Sequence, residues 1–294
     1  MRRPDPYPLH RHFVAPAAAR RNLWLVLLVV VGFELVFEAT PYIFTPYSGP
    51  GRITVTPLDT LVEFAAFIIP CIALLVLVRL IHKRGFFSLT GPHQQAWRDL
   101  RRVTIAVGLV LLIQEPLRLS GEWDYFARMR PLDQWAVMLP FAFVALLIQV
   151  GTEELYFRGY LQQQMGALSD SRWVWMVLPS AFFGLAHYVN GVTPVEGTVW
   201  AIWAMALGLA CADLTARTGT IGAAVGLHLA NNAFALLVTA VEDWPASGLA
   251  LWLYPYQNPW SYTDPSAAAA IIDLTLSVTG IWVMWLAARV AVRR

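Results

Sequence analysis

Two adjacent carboxylates and a guanidinium close a strongly apolar stretch of this chain. Glu153, Glu154 and Arg158 follow Met138–Val150, a run without a charged residue. Each such group costs roughly 2.5–3.5 kcal/mol near a bilayer centre, even on the mildest insertion scale. On an α-helix Glu154 and Arg158 are i,i+4 neighbours and neutralise each other. Glu153 points about 100° away, at 3.6 residues per turn, and is expected to have no local partner. Two of the six histidines, His187 and His228, also lie in apolar stretches, whereas His10, His12, His82 and His93 lie in juxtamembrane segments. A lone buried histidine is ordinarily a satisfied core residue. Two of them in the same region as an unpaired carboxylate point to a site.

These residue types suit one chemistry well. A carboxylate and an imidazole holding one water form a general-base pair: the water attacks a carbonyl and its proton passes to the leaving amine. His228 and Asn232 stand i,i+4 on one helix face, with Asn231 on another. An imidazole and a carboxamide so placed can donate to a developing oxyanion, an effect of about 3 kcal/mol. Together they would hydrolyse a peptide bond without a covalent nucleophile. Glu153, His187 and His228 would also make a zinc set with an open position, although no His-Glu-x-x-His pair is present. A non-catalytic scaffold or immunity protein that binds a peptide is a further reading. A proton-coupled transporter would use intramembrane Glu and His as well, but no inverted repeat supports it.

The elements that must position these groups are membrane helices. Of 294 residues 57% are hydrophobic and 14% charged, against about 25% charged in soluble domains. Runs near 20 residues place eight spans at 23–43, 60–81, 103–119, 135–160, 173–189, 197–217, 220–241 and 267–288. Only Arg52, Arg118, Arg128 and Arg130 of the 21 basic residues fall on the side away from the termini. The positive-inside rule then puts both termini in the cytoplasm. The 85–101 segment reads as a basic cytoplasmic loop and 242–265, rich in Pro steps, as an irregular external one. Glu34, Glu38, Glu63, Asp213 and Asp273 read as interfacial or paired, and Glu115 with Arg118 as a pair. Cys71 and Cys211 sit in apolar spans as small buried hydrophobes. No basic domain implies nucleic acid, and the single Lys83 among abundant Arg, Ala and Trp suggests a GC-rich bacterial genome.

Depth supports convergence. With a turn at 166–172, Glu153 lies 13 residues before Gly166 and His187 lies 14 after Trp173, so both stand about 20 Å from the cytoplasmic turn. His228 lies nine residues beyond Gly219, about 14 Å from its own turn. The three are expected to meet in a cavity open to the cytoplasm. Gly222 and Gly226 form a small-xxx-small pattern that admits another helix just before His228.

Three motifs in order, Glu153-Glu154-Leu155-Tyr156-Phe157-Arg158, Phe183-Gly184-Leu185-Ala186-His187 and His228-Leu229-Ala230-Asn231-Asn232, resemble the CAAX-protease and bacteriocin-processing (CPBP, or Abi) family of glutamate-type intramembrane endopeptidases. The resemblance covers roughly 135–241. It implies an all-α polytopic bundle of about eight transmembrane helices with an intramembrane catalytic cavity. It further implies Glu153 assisted by His187 as the water-activating pair, His228 and Asn232 as oxyanion donors, and Glu154–Arg158 as a supporting ion pair. Eukaryotic members remove the last three residues of prenylated CAAX proteins. The chain is therefore expected to divide into a cytoplasmic segment 1–22, three helices and loops in 23–134, a catalytic four-helix core in 135–241, and an external loop with a final helix in 242–294. The expected setting is a bacterial inner membrane, with a membrane-associated protein substrate and no cofactor, zinc being the alternative.

Overall fold

The computed structural model describes residues 6–44, 55–120, 126–255, 264 and 266–293; the side chains of 44, 115 and 117–120 lie outside that description. A short α1 (His10–Val14) and a 3-10 stretch (Ala15–Arg20) precede α2 (Leu23–Phe44). Next come α3 (Pro57–Ala66) and α4 (Ile68–Leu77), which ends in a π turn at Val78–His82, then α5 (Phe87–Thr90) and α6 (His93–Ser120). After β1 (Arg128–Met129), α7 (Leu132–Glu154) runs through a π stretch (Leu155–Gln162) into α8 (Gln163–Leu168). A π turn at Trp173–Val177 opens α9 (Leu178–Ala186), followed by α10 (Pro194–Thr218) and α11 (Gly222–Leu237). The chain closes with β2 (Thr239–Val241), β3 (Trp252–Tyr254) and α12 (Ala267–Val292).

The protein is an all-α polytopic membrane protein. Among the described residues five helical stretches are long and apolar enough to cross a bilayer: Leu23–Ile43, Pro57–His82, Leu132–Leu168, Pro194–Thr218 and Ala267–Val292. Helices satisfy their own backbone hydrogen bonds, so they can present apolar side chains to lipid without penalty. Leu28, Val31 and Leu35 of α2 and Ile271, Ile272 and Leu276 of α12 are exposed in this way.

Other expected spans differ from what is built. The 220–241 run is helical only to Leu237, giving a 16-residue apolar helix. It is buried almost all round at 222–231, so it needs no lipid-facing length. Thr239–Val241 leaves the helix as a strand. It joins a small sheet of order β1-β3-β2, parallel between β2 and β3 and antiparallel between β1 and β3. The supposedly irregular external loop thus contributes β3, while 256–263 and 265 lie outside the described residues. The 85–101 loop is largely helical, forming α5 and the first turns of α6. Its Gln, Ala, Leu and Arg are good helix formers whose polarity masked them in a search for apolar runs. The expected Glu115–Arg118 pair lies outside the described side chains.

Contacts define two ends of the bundle. At one end the Tyr7 hydroxyl donates to Asp213 at 2.7 Å, and Asp213 also accepts from Arg217 at 2.7 Å and Trp285 at 2.9 Å. Burial, and then its bond to Asp213, push the Tyr7 phenol up to about 12, so it remains a donor at neutral pH. Arg20 donates to the Ile81 carbonyl at 2.7 Å, while Leu9 packs on Gly219 and His10 on Gly166. The segment before α2 thereby closes this end. At the far end Gly248 N–H donates to Thr60 at 3.1 Å and Trp135 donates to the Leu237 carbonyl at 2.9 Å.

Candidate active site

Glu153 and Glu154 are the last residues of α7, where the backbone widens into the π stretch. Such stretches inside α-helices recur at functional sites, and here every residue from Leu155 to Gln162 is buried. Arg158 Nη1 lies 3.0 Å from Glu154 Oε1, and Nη2 donates to the Gly208 carbonyl of α10 at 3.0 Å. The guanidinium carbon stands 4.8 Å from the Phe183 ring centre. With Arg158 2% and Glu154 0% exposed, this is a fully desolvated pair. It is also more than a pair, because His228 Nδ1 of α11 lies 2.8 Å from the same Glu154 oxygen. The other nitrogen of His228, Nε2, is 3.6 Å from Glu153 Oε2. His228 thus bridges the two neighbouring carboxylates.

The expectation that Glu153 lacks a local partner is overturned. Gln149, one turn earlier on α7, donates from Nε2 to Glu153 Oε1 at 2.7 Å. Gln149 Oε1 in turn accepts from Asn232 Nδ2 at 3.2 Å, and Asn232 Oδ1 accepts from Asn231 at 3.1 Å. The reading by helix face had counted charges, and a neutral amide in the apolar run escaped it. Glu153 Oε2 is buried and has no hydrogen-bond partner among the described residues.

His187 ends α9. Its Nδ1 lies 2.8 Å from the Phe183 carbonyl. A carbonyl only accepts, so Nδ1 carries the proton and the neutral ring keeps its lone pair on Nε2. The Phe183 ring is 4.4 Å from the His187 ring and 5.7 Å, edge on, from the His228 ring. One aromatic side chain therefore separates the two imidazoles and covers the buried guanidinium.

A cavity of about 740 Å³ has Glu153, His187, Gln149 and Asn232 on its wall, with Tyr156, Phe157 and Phe183 beside them. His228, 2% exposed, Glu154 and Arg158 are not wall residues but stand behind Glu153. The rest of the wall comes from the far half of the bundle: Glu34 and Phe37 of α2, Glu63 and Phe64 of α3, Val189 and Asn190 after α9, Glu196 and Trp200 of α10, Leu236 of α11, and Asp273 of α12. The cavity wall therefore lies toward the end opposite the one that carries both termini, whereas the expectation had the cavity open on the side of the termini. Depth along single helices could not reveal this, because the closure at the termini end is made by the N-terminal segment. Glu34 and Glu63 belong to this wall; Glu34 accepts from the Tyr156 hydroxyl at 2.8 Å. Asp213, by contrast, is a purely packing-side acceptor far from the cavity. Among the described residues no three His, Cys, Asp or Glu side chains are grouped to hold a metal ion.

Gln149, Tyr156 and Phe183 are site residues that the spacing of ionisable groups did not single out. Gln149 had a legible signal, an amide one helical turn before Glu153 in a run otherwise without hydrogen-bonding side chains of that length.

Residues 134–234 match the family described as type II CAAX prenyl endopeptidase Rce1-like, a segment that holds all three motifs. The uncharacterized protein YyaK of Bacillus subtilis (strain 168) is 26% identical over 239 residues, 76% of this chain and 80% of that protein. No solved structure gives a significant match.

Proposed function

From an Rce1-like domain at residues 134–234, we propose that this membrane protein is a metal-independent intramembrane endopeptidase acting on a membrane-associated protein. The observation that carries the reading is the placement of Glu153, His187 and Asn232 on one cavity wall.

In the proposed reaction a water between Glu153 and His187 loses a proton as its oxygen attacks the scissile carbonyl. The carbonyl π electrons move to oxygen, and Asn232 Nδ2 donates to that oxyanion from the cavity wall, whereas His228, expected as a second donor, stands behind Glu153 and holds the two carboxylates. The tetrahedral adduct collapses with cleavage of the C–N bond, and the proton taken from water passes to the departing amine. Phe183 and Gln149 hold the groups in place without reacting.

The setting is a multi-pass membrane protein, proposed for a bacterial cell membrane with both termini cytoplasmic. The cavity mouth then faces outward. The test is a comparison of membrane and C-terminal peptides from cells carrying wild-type protein or Glu153→Ala. Peptides cut only in the wild type support hydrolysis and name the substrate; identical peptide sets refute it. Purified protein that keeps its activity after exhaustive chelation supports the metal-free site, whereas activity restored only by zinc would assign Glu153, His187 and His228 as ligands.

A further inference from the structure

The charge of the cavity wall is one-sided. Besides Glu153 it carries Glu34, Glu63, Glu196 and Asp273, and among the described residues no Lys or Arg lies on it. These carboxylates come from four different helices, so no local sequence feature groups them; the fold does. Three are already engaged: Glu34 accepts from Tyr156 at 2.8 Å, Glu196 accepts from the Val192 N–H at 2.8 Å, and Glu63 accepts from the backbone of Ala246. Glu63 and Asp273 are exposed and form no ion pair among the described residues. Between them the wall is aromatic, with Phe37, Phe64, Phe67, Trp200 and Trp203. Carboxylates set in low-dielectric walls focus a negative potential into the space they enclose. The aromatic faces add to it, since their quadrupoles also attract cations.

We infer that the cavity takes a peptide segment bearing basic side chains near the scissile bond and disfavours one that ends in a free carboxylate there. This rests on the peptidase reading of the same cavity. Removal of a C-terminal tripeptide would bring the substrate's terminal carboxylate within three residues of Glu153. Among the described residues nothing cationic on this wall would receive it. An internal Lys- or Arg-bearing segment, by contrast, meets complementary charge at the mouth and apolar contact within.

The experiment uses the full chain in nanodiscs of zwitterionic lipid, with empty nanodiscs as the blank. The probes are fluorescent apolar peptides that differ only in flanking residues, two Lys, two Gln or two Glu, each as C-terminal amide and free acid. Binding is read by anisotropy with Glu153→Gln and cleavage with the wild type. The Lys amide should bind about tenfold more tightly than the Glu free acid. That preference should shrink severalfold in Glu63→Gln/Asp273→Asn on the Glu153→Gln background, and again at about 1 M salt, where the screening length falls to about 3 Å. Equal binding of all peptides, no binding of any, or a preference unchanged by the double substitution overturns the inference. Selective binding of the Lys peptide with no cleavage of any probe would refute the peptidase reading alone. Cleavage of all peptides at equal rates would refute only the preference for basic segments.

Discussion

Within the site, each residue's environment separates the groups that can react from those that hold them. Glu153 lies on the cavity wall while Glu154, next in sequence, is fully enclosed between Arg158 and His228. Glu153→Gln should therefore lower cleavage by at least about 100-fold, in line with the loss of a general base, while the amount of folded protein stays constant. Full activity in that variant would remove Glu153 as the base. Arg158→Ala acts differently. It leaves Glu154 with a single partner in a desolvated setting, a change that costs about 3–5 kcal/mol. Loss of detergent-extractable, folded protein is the expected result, measured by size-exclusion yield and Tm. Gln149→Leu removes the amide that links Glu153 to Asn232. It should lower kcat about tenfold with little change in KM or yield; a pure KM effect would assign Gln149 to substrate binding.

Among the elements, the widened turn after α7 and the close approach of α6 to α11 do the positioning. A Cβ on Gly222 would stand 1.9 Å from the Ala96 carbonyl oxygen, and one on Gly226 2.7 Å from that of Leu100. The small-xxx-small pattern was legible before His228, and α6 is the helix that uses it. Gly226→Leu should force α6 and α11 apart, displace His228 from Glu154, and abolish both activity and thermal stability. A variant that folds with a wild-type Tm would show that the approach is not needed. The widened turn itself was not legible, since nothing in the residues from Leu155 to Gln162 distinguishes a π stretch from an α-helix; packing on α5, α9 and α10 selects it. The short length of α11 was misread for a related reason. Apolar runs measure hydrophobicity, and a helix surrounded by protein is as apolar as one surrounded by lipid.

For the whole molecule the decisive feature is which end is closed. Residues 6–20 seal the end that carries the termini, and the cavity wall lies toward the other. Val189 is exposed on the cavity wall, whereas Cys71 is half-buried and Cys211 buried. A membrane-impermeant maleimide should label Val189→Cys in intact cells, and a reporter fused after Arg294 should read as cytoplasmic. Labelling that needs permeabilised cells would reverse the proposed orientation.

Sequence alone determined the membrane class and the pairing of Glu154 with Arg158, and it singled out Glu153, His187, His228 and Asn232 as candidates. Those properties depend on composition and on helical spacing within single segments, which residue order specifies directly. Only the tertiary structure decided that His228 bridges both glutamates, that Gln149 ties Glu153 to Asn232, and that the cavity wall lies toward the end opposite the termini. It also brought carboxylates from separate helices onto one wall. Each of these is a contact between segments far apart in the chain, set by how the helices pack around the α11 core, and no local period encodes it.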